Sequence, residues 1–276
     1  MKLRSRNETT EQEQLEISSM KTHNIFFKQI TKLGLLLMMG LSMSACSKTS
    51  SWKEEVLLHD GSKIIVGRVL SYGGRHEIGQ PNPISESTIS FILPNSNKTI
   101  SWTSNYSSDV GRANFDILAL HILDGRPYIV ASPIGCLSYN KWGRPNPPYV
   151  FFRYDGKEWQ RIPLSEFPVE FKTLNVAIYL GGRDVETMVK QGLVSAENIR
   201  VRNSELSQYP QYQTIQRESV KGYELSCPEM VSDGKDGWIG VGWFRDQPSY
   251  QACLNYCTSE KIAAVYCLCN KYFQGK

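Results

Sequence analysis

Ala119-Leu120-His121-Ile122-Leu123-Asp124-Gly125-Arg126-Pro127-Tyr128-Ile129-Val130 places two apolar runs on either side of Asp124-Gly125. Asp-Gly between such runs favours a type I′ turn, because both central residues take positive φ, and the stretch reads as a β-hairpin. The layout recurs twice. Val56-Leu57-Leu58-His59 and Ile64-Ile65-Val66 flank Asp60-Gly61, and Val150-Phe151-Phe152-Arg153-Tyr154 and Trp159-Gln160-Arg161-Ile162 flank Asp155-Gly156. A fourth hairpin is expected from Thr88-Ile89-Ser90-Phe91-Ile92, across Pro94-Asn95-Ser96-Asn97, to Thr99-Ile100-Ser101-Trp102.

These hairpins repeat at a fixed offset. Asp60-Gly61 returns as Asp124-Gly125 after 64 positions, Ile65-Val66 as Ile129-Val130, and Gly79-Gln80-Pro81-Asn82-Pro83 as Gly143-Arg144-Pro145-Asn146-Pro147. Each unit reads as a hairpin, a long loop carrying the Gly-x-Pro-Asn-Pro turn, and a second hairpin. Two units are too few for a propeller. The fold class expected is therefore mainly β with a small α+β tail. About eight antiparallel strands would form a sandwich or barrel, built from a duplicated hairpin unit.

Beyond Pro163 the alternation stops. Residues 184–190 and 196–199 read as short helices, and residues 203–222, polar with Tyr209, Pro210 and Tyr212, as an extended crossing. The expected organisation is a signal region over 1–45, a lipidated tether over 46–51, a β domain over 52–165, a mixed helical and linker segment over 166–222, and a disulfide-rich tail over 223–276.

The signal region is read from Gly34-Leu35-Leu36-Leu37-Met38-Met39-Gly40-Leu41, preceded by Lys21, Lys28 and Lys32 and followed by Ser42-Met43-Ser44-Ala45-Cys46. The apolar run is shorter than the roughly 20 residues of a spanning helix and fits a signal core. Basic flank, short core and small residues before a cysteine resemble the lipobox of bacterial lipoproteins, with Met43 where Leu is usual. The resemblance implies a diacylglyceryl group on the Cys46 thiol, palmitate among the chains, and Cys46 as the mature N-terminus. With Ser47 next, it further implies the periplasmic face of the outer membrane. Residues 1–19 carry Glu8, Glu11, Glu13 and Glu16, which suit a signal poorly, and Met20-Lys21 reads as a better start. Without residues 1–45 the chain has 25 Lys/Arg against 23 Asp/Glu, about +2, with no basic run that would point to nucleic acid. Trp52-Lys53-Glu54-Glu55-Val56 and the Trp142 loop through Trp159 are also similar to a group of uncharacterised proteobacterial envelope lipoproteins, which brings no activity with it.

Apart from Cys46 there are six cysteines, Cys136, Cys227, Cys253, Cys257, Cys267 and Cys269, an even number suited to disulfides in an exported protein. Pro248-Ser249-Tyr250 suits a helix start that puts Cys253 and Cys257 on one face. Ile262-Ala263-Ala264-Val265-Tyr266-Cys267-Leu268-Cys269 reads as a strand with both cysteines to one side. A helix Cys-x-x-x-Cys facing a strand Cys-x-Cys resembles the cysteine-stabilised α/β clamp of defensin-like folds. That resemblance implies Cys253–Cys267 and Cys257–Cys269, leaving Cys136 and Cys227 to join the β region to the tail. A Cys₄ zinc site is the alternative. The same spacing, beside Gly237-Trp238-Ile239-Gly240-Val241-Gly242-Trp243-Phe244, is also similar to some carbohydrate-binding modules.

The densest unusual segment is Cys136 to Tyr149. Tyr139, Trp142, Arg144 and Tyr149 on a proline-stiffened loop are the candidate binding residues, since aromatic planes and a guanidinium bind at low ordering cost. The competing reading makes Trp142 and Tyr149 core anchors. No nucleophile elbow, phosphate loop or zincin pattern occurs, and no catalytic, metal or cofactor residue is assigned. His59 and His121 fall in hairpin strands and read as structural. Asp233-Gly234-Lys235-Asp236-Gly237 reads as a turn ahead of a calcium loop. The expected function is a non-catalytic, lipid-anchored binding or interaction protein whose partners are membrane lipid through Cys46 and an envelope protein, glycan or toxin. The alternatives are an envelope hydrolase acting on glycan or lipid, with His76 and Glu77 as first candidates, and a purely structural lipoprotein.

Overall fold

The computed structural model describes residues 48–273, so Cys46 and the signal region lie outside the described residues. Trp52, Glu54 and Val56 point inward from strand β1 (Thr49–Leu57), while Lys53 and Leu57 point out. The same period-2 alternation runs through β2 (Lys63–Tyr72), β3 (Ile84–Ile92) and β4 (Thr99–Ser104). These strands form an antiparallel meander in sequence order. Beyond it, the short pair β5 (Tyr106–Ser107) and β6 (Arg112–Ala113) leads into a second meander, β7 (Phe115–Leu123), β8 (Arg126–Pro133), β9 (Val150–Tyr154) and β10 (Trp159–Ile162). Each sequence unit thus folds as one four-stranded meander.

The two sheets share one core. Val56, Val66, Phe91 and Trp102 of the first interlock with Phe115, Leu120, Ile129 and Phe152 of the second, which is a sandwich; neither sheet closes on itself as a barrel. Strand β7 carries one extra residue, Leu118, between Ile117 (opposite Ala131) and Ala119 (opposite Val130). The bulge turns Leu118 and Ala119 to the far side of the sheet and brings Leu120 and Ile122 back to the shared core.

That far side is covered too. Phe167, Phe171, Leu174, Ile178, Leu206 and Ile215 pack over Tyr128, Val130 and Phe151. A sheet buried on both faces loses the polar half of its alternation, which explains the nearly continuous apolar runs of β7 and β8. Residues 203–222, expected as a crossing, thus contribute to this third layer. Helices α1 (Gly135–Lys141), α2 (Gly182–Gln191) and α3 (Ala196–Ser204) flank the sheets, and β11 (Leu193–Val194), the short strand between α2 and α3, adds to β1 in parallel. Residues 49–51, expected in a polar tether, are the start of β1, with Thr49 opposite Ser71.

Only one of the three Asp-Gly turns has both residues at positive φ: Asp124 at 50° and Gly125 at 71°. In the others only Gly61 and Gly156 do. There the aspartate opens a longer loop: Asp60 Oδ1 accepts from Ser62 N–H at 2.9 Å, and Asp155 Oδ1 from the N–H groups of Lys157 and Glu158. The side chain satisfies the turn amides, so Asp can remain in its ordinary backbone region.

The C-terminal lobe corrects two expectations. After β12 (Met230–Ser232), β13 (Trp238–Gly240) and the single-turn α4 (Gly242–Arg245), helix α5 (Tyr250–Ser259) starts on Ser249, whose hydroxyl accepts from Ala252 N–H. The segment expected as a strand is instead a 3₁₀ turn, Ala264–Tyr266, followed by helix α6 (Cys269–Phe273). The bridges are Cys253–Cys269 and Cys257–Cys267, the reverse of the clamp pairing. The cause lies at the end of α5. Lys261 has φ 54°, Ile262 N–H donates to Cys257 C=O at 2.8 Å, and Lys261 N–H donates to Thr258 C=O at 3.1 Å. This is a Schellman turn with Ile262 packed beside Cys257. It sends the chain back along the helix, so the first returning cysteine meets the later helical one and the bridges nest. Cys136 and Cys227 pair as expected. Among the described residues no helix is long and apolar enough to cross a membrane.

Candidate functional site

The four candidate binding residues are gathered in one place, but their polar atoms face inward. Tyr139 and Tyr149 are buried, and the Tyr149 hydroxyl donates to Gln211 C=O at 2.7 Å. Trp142 is half-buried on Phe115, ring centroids 4.6 Å apart, and its Nε1–H donates to Asn114 Oδ1 at 3.1 Å. Arg144 lies over the Tyr139 ring at 5.0 Å. Its guanidinium donates to Asn140 Oδ1, to the carbonyls of Pro228 (3.1 Å) and Cys227 (2.9 Å), and to Glu224 C=O. The segment is a clasp: Arg144 and the Cys136–Cys227 bridge together hold residues 223–228 against α1.

The outward side of the same loop is different. Pro145, Pro147, Tyr149, Pro163 and Leu164 line a groove of about 480 Å³, with the exposed Arg161 on its wall. Arg161 lies 5.5 Å from the Trp142 ring. Its NH2 donates to Trp142 C=O at 3.4 Å, which fixes the guanidinium beside the ring and leaves its other donors without a protein partner. Proline and leucine walls with Asn146 and one oriented cation suit an extended peptide bearing a carboxylate. A second cleft, of about 390 Å³, lies between Leu57, Lys63, Ile199, Asn203 and Tyr212, where Glu197 and Arg200 already pair with each other.

Parity along the strands points to a feature that motif reading missed. Glu54 is in phase with Trp52 and Val56, and Arg68 with Val66 and Leu70, so both charges face the sandwich interior on adjacent strands. They are fully buried and paired: Arg68 NH1 donates to both Glu54 oxygens at 3.2 and 3.3 Å. Glu54 also accepts from Trp52 Nε1–H (2.7 Å) and Ala177 N–H (3.1 Å). With Ser87, Arg112, Asp116 and Tyr179 they interrupt the apolar interior between two separate core clusters. Loss of hydration pushes the Asp116 carboxyl up to about 6, against the pull of the Tyr179 hydroxyl and the Arg112 and Arg68 charges.

His121 is buried and structural. Its Nε2 meets Thr173 C=O at 2.9 Å and Nδ1 meets Asn175 Nδ2 at 3.4 Å, which selects the neutral Nε2–H tautomer, and burial lowers it to about 4. Asn175 bonds Leu57 C=O and both backbone groups of Leu120, tying β1 to β7. The two groups act oppositely on pH dependence. Asp116, raised on folding, favours the fold below its ordinary value of 3.8, and that contribution is lost as pH rises through about 6. His121, lowered on folding, favours the fold above 6.5, and its contribution is lost as pH falls towards about 4. Asp116 therefore offsets part of the His121 loss, and Asp116→Asn makes the fall in denaturant midpoint from pH 7 to 4 steeper than in the native chain.

The other candidates are occupied or open. His76 and Glu77 sit on the exposed loop between β2 and β3, His76 Nδ1 against Gly74 C=O and Glu77 accepting from Gln80. Asp233 Oδ1 accepts from the N–H groups of Lys235 and Gly237, which is a turn. The sulfurs of Cys253, Cys257 and Cys269 lie within 4.8 Å of one another, but as disulfide sulfurs they offer no thiolate for zinc. No known protein family, curated protein or solved structure matches the chain.

Proposed function

We propose that this chain is a non-catalytic binding protein of the bacterial envelope, anchored by acyl chains on Cys46 at the periplasmic face of the outer membrane. On this reading it holds an extended segment of an envelope protein in the groove beside residues 145–149. The observation that carries the binding role is Arg161, exposed and 5.5 Å from the Trp142 ring at the wall of a groove whose lining includes Pro145, Asn146, Pro147, Pro163 and Leu164. Export is supported by three disulfides that use every cysteine among the described residues, since such bonds persist in oxidising compartments. Trp142 and Arg144 hold the loop in place, so they support the groove without reaching the partner.

The test is affinity capture from native envelopes after crosslinking. Wild type recovers a partner whose crosslinked peptide maps to residues 145–164, whereas Arg161→Glu and Leu164→Asp lose it with unchanged unfolding midpoints. Equal recovery by both variants overturns the groove assignment.

A further inference from the structure

Cys46 lies two residues before Lys48, so its Cα is at most about 7.6 Å from that of Lys48, at ~3.8 Å per residue step. Lys48 is already tied to the sheet, its carbonyl accepting from Tyr72 N–H at 2.9 Å, and β1 starts one residue later. A lipid on Cys46 would therefore have almost no tether, and the sheet end that carries Lys48 would meet the leaflet.

The composition of that end fits such contact. Register puts Thr49 opposite Ser71, Tyr72 opposite Ile84 and Ser87 opposite Ser104, so this end also carries the β2–β3 loop (residues 73–83) and the chain leaving β4. Ile78, on that loop, is completely exposed at 107%. Moving such a side chain from water into an apolar phase is favourable. Tyr106, 43% exposed, follows β4, and Lys48 Nζ lies 5.9 Å from the Tyr72 ring. Tyrosine and lysine suit the boundary between acyl chains and headgroups, with apolar bodies and polar tips.

The loop is also held in position. Arg75 N–H donates to Gly111 C=O at 3.0 Å, and its guanidinium reaches the carbonyls of Ser108 and Asp109. Gly74, at φ 107°, approaches so closely that a Cβ there would lie 2.5 Å from Gly111 O. Ile78 thus projects from a braced loop.

We propose that this end of the sandwich, through Lys48, Tyr72, Ile78 and Tyr106, rests on the phospholipid headgroups of the leaflet that holds the Cys46 acyl chains. Ile78 enters the interface and Lys48 meets lipid phosphate. The inference rests on the proposed acylation of Cys46, and it fixes an orientation: the Asp60-Gly61 turn and the turn at residues 93–98 lie at the far end, facing the periplasm.

The full protein, extracted from membranes and reconstituted in phosphatylethanolamine/phosphatidylglycerol vesicles containing a headgroup-diazirine phospholipid, is irradiated and its peptides are mapped by mass spectrometry. Lipid adducts are expected on peptides spanning residues 72–83 and 106, with none at 60–62 or 94–97, and Ile78→Asp loses the adducts of its own loop. Intact mass reads Cys46 acylation independently. An acylated chain whose adducts lie elsewhere, or whose 72–83 loop takes none, overturns the docking alone. A chain without lipid on Cys46 overturns the anchoring and the docking together.

Discussion

Glu54→Ala lowers the unfolding free energy by about 3–5 kcal/mol, because it leaves the Arg68 guanidinium buried without its counter-charge. The variant also strips Trp52 Nε1–H and Ala177 N–H of their shared acceptor. Arg68 has little slack to absorb the loss, since its Nε and NH2 already have no hydrogen-bond partner. Glu54→Leu combined with Arg68→Met recovers most of the stability, since an apolar pair of similar volume removes both desolvation penalties. Recovery stays incomplete because Trp52 and Ala177 still lack an acceptor. Urea unfolding of the three proteins checks this. A Glu54→Ala variant within about 1 kcal/mol of wild type, well under the ~3 kcal/mol lower limit for a broken buried pair, would mean that the charges are not buried together.

Replacing Cys136 and Cys227 together by serine has an effect of similar size. The bridge closes 91 residues, and the chain-entropy relation gives about 4–5 kcal/mol for a loop of that length, against about 3 kcal/mol for the ten residues closed by Cys257–Cys267. The long bridge therefore outweighs either short one, although the tail holds more bridges. Its loss leaves residues 223–228 attached through the side-chain hydrogen bonds of Arg144, Asn140 and Asn146 and the Tyr139–Tyr223 ring contact, so adding Arg144→Ala, which removes three of those bonds, exposes the segment to protease while the sandwich still unfolds cooperatively. If the serine pair unfolds at the wild-type midpoint, or cleavage in Arg144→Ala falls inside β7 or β8, the clasp is wrongly described.

How much of this was legible in the sequence depends on the reach of each interaction. The hairpins are readable because a turn and its strands lie within about ten residues, and the two units of the 64-residue echo coincide with the two meanders. The two-residue strand β11 was not readable, since its pairing with β1 spans some 140 positions and its own pattern is too short to register. The bulge at Leu118 follows from having an apolar layer on both sides, which local alternation does not report. The swapped bridges turned on Lys261 adopting positive φ, a position where glycine is the usual signal. Arg144 and Trp142 have the chemistry of a recognition surface but face inward, and local sequence does not show this because Asn114 and residues 224–228 lie far along the chain. Glu54 and Arg68 were within reach: a charge in phase with inward apolar neighbours on two adjacent strands calls for a buried pair.

Cys46 joins the proposed anchoring to the proposed export. Intact mass spectrometry of the membrane-extracted protein, before and after reduction and alkylation, reads both halves of the claim. It predicts a chain beginning at Cys46 with a diacylglyceryl group on its sulfur, and six further cysteines that accept alkylating reagent only after reduction. A chain still carrying residues 1–45, with an unmodified Cys46 and freely alkylated thiols, would contradict it.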